Sequence, residues 1–435
     1  MKLFQSLTLL LMLSAAVLGQ LLDPAKLLQP PTDTWPTYNG DYSGRRFSTL
    51  SSISASNVKS MTLAWVYRIN PGQGGNTTIK STPLEINGTL YFTVPDHVWA
   101  LDARTGRELW HYAWQSKGGI HIGNRGVGVY GNWLFFETPD CHLVSLNLKD
   151  GKERWNTEIC DLNQQYYASV APVIVKNHVI VGVSGDDLDI PGYLEARDPE
   201  TGRLQWHFET HPQPGEPGSE TWPNVEAMMH GGGMTWVPST YDPELNLIYL
   251  GTGNPQPVLA GKGRGGDNLY TESILALNPD TGKLAWYFQP SPHDTHDWDA
   301  VQTPVLFDAE FNGQKRKLVA QASRNGYFFL LDRTNGQHLL TAPFIKTNWA
   351  TGIDAKGRPI RNLAKDPTPD GALVSPSSGG ATNWPPPSFN PETGLFYVSA
   401  SRSYSIFYLT DLDDKPEGWG GVDRSLWSQS QVVAI

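Results

Sequence analysis

Four clusters of polar and glycine residues in this sequence have types and spacings that could do chemistry. They are Val183-Ser-Gly-Asp-Asp187, Gly231-Gly-Gly-Met-Thr-Trp236, Gly251-Thr-Gly-Asn254-Pro and His293-Asp-Thr-His-Asp297-Trp-Asp299. Asp297 and Asp299 are two apart, so on an extended chain both carboxylates point to one side. Two carboxylates on one face repel unless a cation or a proton joins them. With Asp187 and Asn254 they would make an all-oxygen site for a hard cation such as Ca2+ or a trivalent ion. Plainer readings stand beside this one. An Asp-x-Asp can be a solvated turn, Asn254 before Pro a turn former, and Arg324 in Ser323-Arg-Asn-Gly326 a turn cap. His293 and His296 have no Cys or Glu in register for zinc. Gly231–Gly233 lacks the Lys-Ser/Thr of a phosphate loop, which excludes nucleotide binding there.

The elements that must position these clusters are set by a repeat. Asp102-Ala-Arg-Thr-Gly106-Arg-Glu-Leu-Trp110 returns as Asn147-Leu-Lys-Asp-Gly151-Lys-Glu-Arg-Trp155. It returns again as Asp198-Pro-Glu-Thr-Gly202-Arg-Leu-Gln-Trp206 and Asn278-Pro-Asp-Thr-Gly282-Lys-Leu-Ala-Trp286. A degenerate copy, Asp332-Arg-Thr-Asn-Gly336, has Leu340 where the Trp would stand. Alternating strands precede the turns, at Val98–Leu101, Leu143–Leu146 and Ile274–Leu277. Asp or Asn opens each turn through side-chain-to-backbone bonds, Gly takes the positive-φ position, and Trp docks between neighbouring units. Such hairpins, about 45 to 54 residues apart, predict an all-β fold, a β-propeller of four-stranded blades. The longer gap before Gly282 predicts one insertion, around His211–Glu220. The chain ends on Gln431-Val-Val-Ala-Ile435, a strand leading towards a further turn, so the propeller over 20–435 reads as incomplete at its C-terminus.

Composition narrows the function classes. Lys+Arg 33 against Asp+Glu 43 gives a net charge of −10, which argues against nucleic-acid binding. Residues 1–19, with Lys2 before the apolar stretch Leu7–Leu18, read as a secretory signal peptide, and no later run is long enough to span a bilayer. Export implies an oxidising compartment in which Cys141 and Cys160 can pair. A two-residue turn at Asp150-Gly151 would set them opposite one another, whereas a bulge would shift the pairing by one. The pair would staple one hairpin; no Cys-x-x-Cys occurs, so it is no redox centre.

At these clusters the chain resembles the quinoprotein alcohol dehydrogenases, the methanol/ethanol dehydrogenase family that uses pyrroloquinoline quinone. The likeness runs from about Trp35-Pro-Thr-Tyr-Asn-Gly-Asp to the C-terminus. Its specific motifs are Gly251-Thr-Gly-Asn-Pro, Pro292-His-Asp … Asp297 and Arg324-Asn-Gly, set among Trp-docking repeats. The resemblance implies an eight-bladed propeller, of which about six blades or fewer are present here, with the quinone and a metal ion near the axis. Asp297 would be the catalytic base, and Arg324 the catalytic cation that also hydrogen-bonds the quinone. Trp236 would stack on the cofactor and Arg125, in Gly123-Asn-Arg-Gly126, would meet its carboxylates. Ser169, Ser184, Gly185 and Asn383 fall at further cofactor-contact positions. Asp187, Asn254, Asp297 and Asp299 would hold the metal, Ca2+ or a lanthanide, and an Asp two after the base is the lanthanide form.

Three departures stand against the family pattern. Asp187 replaces a Glu ligand, Lys80 replaces a Glu near the cofactor, and Gly118-Gly-Ile-His121 stands where a vicinal Cys pair usually covers the quinone. The expectation is a periplasmic enzyme oxidising small primary alcohols. Without a Cys-x-x-Cys-His haem motif, its electrons would pass to a separate periplasmic cytochrome c. Two alternatives remain open at this point: a non-catalytic propeller scaffold or assembly protein, and an inactive remnant with an exposed sheet edge.

Overall fold

A computed structural model of the chain describes residues 22–72, 75, 77–185 and 189–435. The signal-peptide expectation for 1–19, and Asp187, fall outside the described residues. Five four-stranded sheets follow one another along the chain. Blade 1 runs from Leu84–Ile86 to Glu108–Ala113, blade 2 from Gly128–Tyr130 to Glu153–Glu158, and blade 3 from Val173–Val175 to Leu204–Glu209. Blade 4 runs from Thr240–Asp242 to Leu284–Phe288 and blade 5 from Val305–Phe311 to Gln337–Pro343. In each, the four strands pair antiparallel in chain order. A sixth sheet departs from this meander. Ala372–Val374 and Ser388–Asn390 both pair with the long strand Leu395–Leu409, whose other edge takes Gly421–Ala434. The expected all-β propeller of four-stranded blades is what the chain forms.

The repeat works by a contact between blades. Gly106, Gly151, Gly202, Gly282 and Gly336 all have φ between 67° and 73°. A β-carbon on each would collide with an indole of the preceding unit: Trp65, Trp110, Trp155, Trp206 and Trp286 in turn. Each Trp therefore lies flat on the next blade's turn glycine, which answers two demands at once, positive φ and no side chain. Four of the indoles also donate Nε1–H to a backbone carbonyl beside that turn: Trp65 to Ala103, Trp110 to Leu148, Trp206 to Pro279 and Trp286 to Arg333. Trp65 stands outside the sequence repeat because no Asp-x-x-Thr-Gly turn precedes it. It nonetheless docks on blade 1 as the others dock on theirs. Leu340, in the degenerate copy, is 38% exposed.

The structure decides one open alternative and corrects one expectation. The hairpin turn is longer than two residues: Gly151 N–H reaches Asn147 O, and Asn147 Oδ1 takes the Lys149 N–H. A bulge follows at Ser145/Leu146, and the same bulge recurs in all five blades. Cys141 consequently faces Ile159, which donates to its carbonyl, and the Cys141–Cys160 disulfide forms one residue out of register with Cα atoms 4.9 Å apart. The predicted single insertion is two. Residues 210–239 join blades 3 and 4, and residues 252–273 lie inside blade 4 between Leu247–Gly251 and Ile274–Leu277.

A strap from Trp35 to Arg45 ties the inner strands together. Trp35 pairs with Glu85, Tyr42 Oη donates to Ile174 O, and Tyr42 O accepts from Tyr241. Ser43 O and Arg45 O accept from Leu306 and Phe389. The strap thus bonds to the first strands of blades 1, 3, 4 and 5 and to the sixth sheet. Among the described residues no helix is long and apolar enough to cross a membrane.

Candidate active site

The loop carrying Asp297 and Asp299 is shaped from within. Asp294 Oδ2 accepts the N–H groups of His296 and Trp298, and Trp298, fully buried, stacks on His296 with centroids 4.3 Å apart. Trp298 Nε1 donates to Ser377 O at 2.8 Å, anchoring the loop to the connection between Ala372–Val374 and Ser388–Asn390. Asp297 sits at φ 67°, so an extended chain is not what aligns the two carboxylates. Arg324 aligns them. Its Nη1 donates to Asp299 Oδ2 at 2.6 Å and its Nη2 to Asp297 Oδ2 at 2.8 Å, a planar fork spanning two acids. Arg324 is thus no surface turn cap. His293 and His296 turn to the carbonyls of Gly266 and Lys365, which accounts for both imidazoles without zinc.

Asn254 is pressed against this pair. Its N–H donates to Asp299 Oδ1 at 2.7 Å, and its carbonyl accepts from Gly233. A β-carbon on Gly232 would collide with the Asn254 carbonyl, so the Gly231–Gly233 run lets two backbones approach. Asn254 Oδ1 is fully buried with no hydrogen-bond partner. Arg264, also fully buried, pins the inner insertion to the acidic loop. It donates to Pro257 O, Val258 O and Asn268 Oδ1, and to the carbonyl of Asp294. Glu272, on the same insertion, is fully buried with neither carboxylate oxygen hydrogen-bonded. Burial and the nearby Asp294 and Asp299 push its pKa well up. Burial likewise raises Asp299, against the opposing pull of Arg324.

Asp297, Asp299 and Arg324 border a cavity of about 460 Å3. Of the residues singled out from sequence, Lys80, Arg125, Ser169, Ser184, Trp236, Asp297, Asp299, Arg324 and Asn383 line it. Asn254 lies behind Asp299, and Gly185 adjoins Ser184 without itself lining the space. Trp236 donates Nε1–H to Asp299 Oδ2 at 3.2 Å, and the Arg125 guanidinium lies 4.5 Å from its ring centroid. Arg125 Nη1 also donates to Ser169 Oγ at 2.5 Å. Sequence reasoning missed Ile122, Tyr167, Trp384, Pro385 and Trp419 in the lining. Trp384 could have been found, since it directly follows Asn383; the others carry no local signal.

Behind Arg125 and Ser169 lies Glu137, fully buried, with Oε2 taking the Val170 N–H. Burial pushes its pKa up to about 8 from an ordinary 4.5. Between those two values the unfolded chain sheds a proton that the folded chain keeps, so this group lowers stability as pH rises. Glu137→Gln is expected to gain in Tm on the parent as pH goes from 5 to 8. Melting curves that stay parallel across that range would refute a proton held on Glu137.

The donor set fits a hard cation and a planar polyanion. Two carboxylates line the space beside an indole and a guanidinium, and Asn254, bonded to Asp299 through its N–H, has an amide oxygen without a partner. Comparison with known proteins bears on this arrangement. A family profile described as the PQQ glucose/ethanol/alcohol dehydrogenase β-propeller domain matches residues 35–348. The chain is 38% identical over 429 residues to quinoprotein alcohol dehydrogenase PedH of Pseudomonas putida, spanning 91% of this chain and 71% of that one. It is 34% identical over 402 residues to 1-butanol dehydrogenase (cytochrome c) of Thauera butanivorans, spanning 85% of this chain and 56% of the relative. A solved structure described as a europium-containing methanol dehydrogenase superposes with a TM-score of 0.83 at 29% identity. That match covers 94% of this chain and 74% of the other.

Proposed function

Since the chain belongs to the pyrroloquinoline quinone-dependent alcohol dehydrogenase family, we propose that it forms the quinone- and metal-binding body of an exported enzyme oxidising primary alcohols to aldehydes. The observation that carries this reading is the fork of Arg324 across Asp297 and Asp299, at the wall of a cavity that also holds Trp236 and Arg125. When bound, the quinone would supply the two-electron acceptor and the metal ion would polarise it.

The chain's own residues then divide the work. The Asp297 side chain keeps 14% of its surface exposed, Asp299 only 1%. Asp297 is thus the carboxylate that an entering alcohol can reach, and it takes the hydroxyl proton. Arg324 fixes its direction and holds Asp299 in place. Asn254 Oδ1, Asp297 and Asp299 would hold the ion, with Asp187 as a fourth donor. Three carboxylates on one ion favour a trivalent over a divalent cation. The name of the Thauera butanivorans relative supports a primary alcohol as substrate and a cytochrome c as electron acceptor. The europium-containing neighbour supports the lanthanide.

The test is dye-linked ethanol oxidation by the full chain with pyrroloquinoline quinone and either La3+ or Ca2+. Turnover is expected with La3+, and Asp299→Ala is expected to move the preference towards Ca2+. Turnover with Ca2+ alone would keep the enzyme and sink the lanthanide assignment. A folded protein inactive with both ions would overturn the proposal.

A further inference from the structure

The cavity wall carries a third cation besides Arg125 and Arg324. Lys80 lines it beside Arg125, and the two come from segments bonded to each other, Thr82 N–H donating to Arg125 O. The stem of Lys80 runs across Gly123, where a β-carbon would collide with its Cδ and Cγ. Gly123, in the same Gly-Asn-Arg-Gly loop that carries Arg125, is therefore the residue that lets the lysine through. At its tip the ammonium lies 5.8 Å from the centroid of Trp384, another lining residue. Lys80 is half-buried and has no ion pair with any described Asp or Glu. Burial and the positive charge of Arg125 both lower its pKa, so each cation disfavours the other.

Two mutually repelling cations held on one wall, the lysine without a protein counter-charge, are an unfavourable arrangement that an anion spanning both would relieve. Each cation also lies against an indole of the same wall, Arg125 on Trp236 and Lys80 on Trp384. We propose that Lys80 and Arg125 together form a dicarboxylate clamp, in which Lys80 pairs with a carboxylate of the bound aromatic cofactor separate from the one met by Arg125. This deepens the proposed function and rests on it. It assigns a binding role to a position where this chain departs from the family. It also gives a source of cofactor affinity that does not depend on the covering Cys pair.

The test reads binding, not turnover. Quenching of tryptophan fluorescence would follow titration of the full chain with pyrroloquinoline quinone, and separately with its uncharged trimethyl ester, at two salt concentrations. Lys80→Gln is expected to weaken the quinone by about tenfold, as for loss of one charge-assisted contact. Lys80→Arg should restore most of it. The salt dependence of the dissociation constant should shrink in Lys80→Gln, and the ester should bind parent and variant alike. Equal quinone affinity in parent and Lys80→Gln would overturn the clamp while leaving the enzyme reading intact. No binding by the folded parent would overturn both.

Discussion

Replacing Asp297 with Asn is expected to lower ethanol turnover by roughly a thousandfold, the loss typical of a removed general base. The change keeps the side chain's size and its contact with Arg324 Nη2, because an amide oxygen can still accept there. What it removes is the ability to take a proton from the alcohol. A drop in kcat with little change in KM is the pattern expected when a group acts only as the reaction proceeds. Asp297 is also a proposed metal donor, so a lost ion could mimic a lost base. Luminescence of bound Tb3+ separates the two: the variant should still bind the ion, held by Asn254 and Asp299, and still fail to turn over. Activity within tenfold of the parent, with the ion retained, would show that another group takes the proton. Asp299→Ala offers the contrast, since its side chain is almost wholly buried and its contacts are Arg324, Trp236 and the Asn254 amide.

What the sequence made legible divides by distance along the chain. The blade hairpins could be read because each is local: the Asp or Asn that opens the turn, its Gly and its Trp lie within nine residues of one another. The bulge one step before every turn stood only as an alternative to a two-residue turn, for it arises from how Gly N–H reaches back to the opening residue, as Gly151 does to Asn147. That bulge is why Cys141 faces Ile159 while the disulfide still forms. The acidic pair and Arg324 are 25 and 27 residues apart, on different loops, and only the family resemblance suggested that they meet. Glu137 and Glu272 carried no signal. A charged residue in a strand or loop is expected at the surface, and both are fully buried.

The contact between blades makes the other large prediction. Trp206 is 8% exposed, packs on Gly282 and donates to Pro279 O at 2.6 Å. Trp206→Ala should cost about 3–5 kcal/mol, as for a deleted core indole, and blade 3 would lose its hold on blade 4. Gly282→Ala should also destabilise, for two separable reasons. Its φ of 68° disfavours any side chain, and the new methyl would meet the Trp206 ring at 2.6 Å. Only the second reason depends on Trp206. The double variant should therefore be less damaged than the sum of the two singles, because removing the indole makes room for the methyl. The backbone cost at Gly282 should remain as a residue of the effect. Pairing Gly282→Ala with Trp110→Ala, whose indole packs on Gly151 instead, should give simple additivity. Urea midpoints of the four proteins in each cycle would measure this. Additivity in both cycles would mean that the glycine is required for its backbone alone, and that the indole docks without needing the space it occupies.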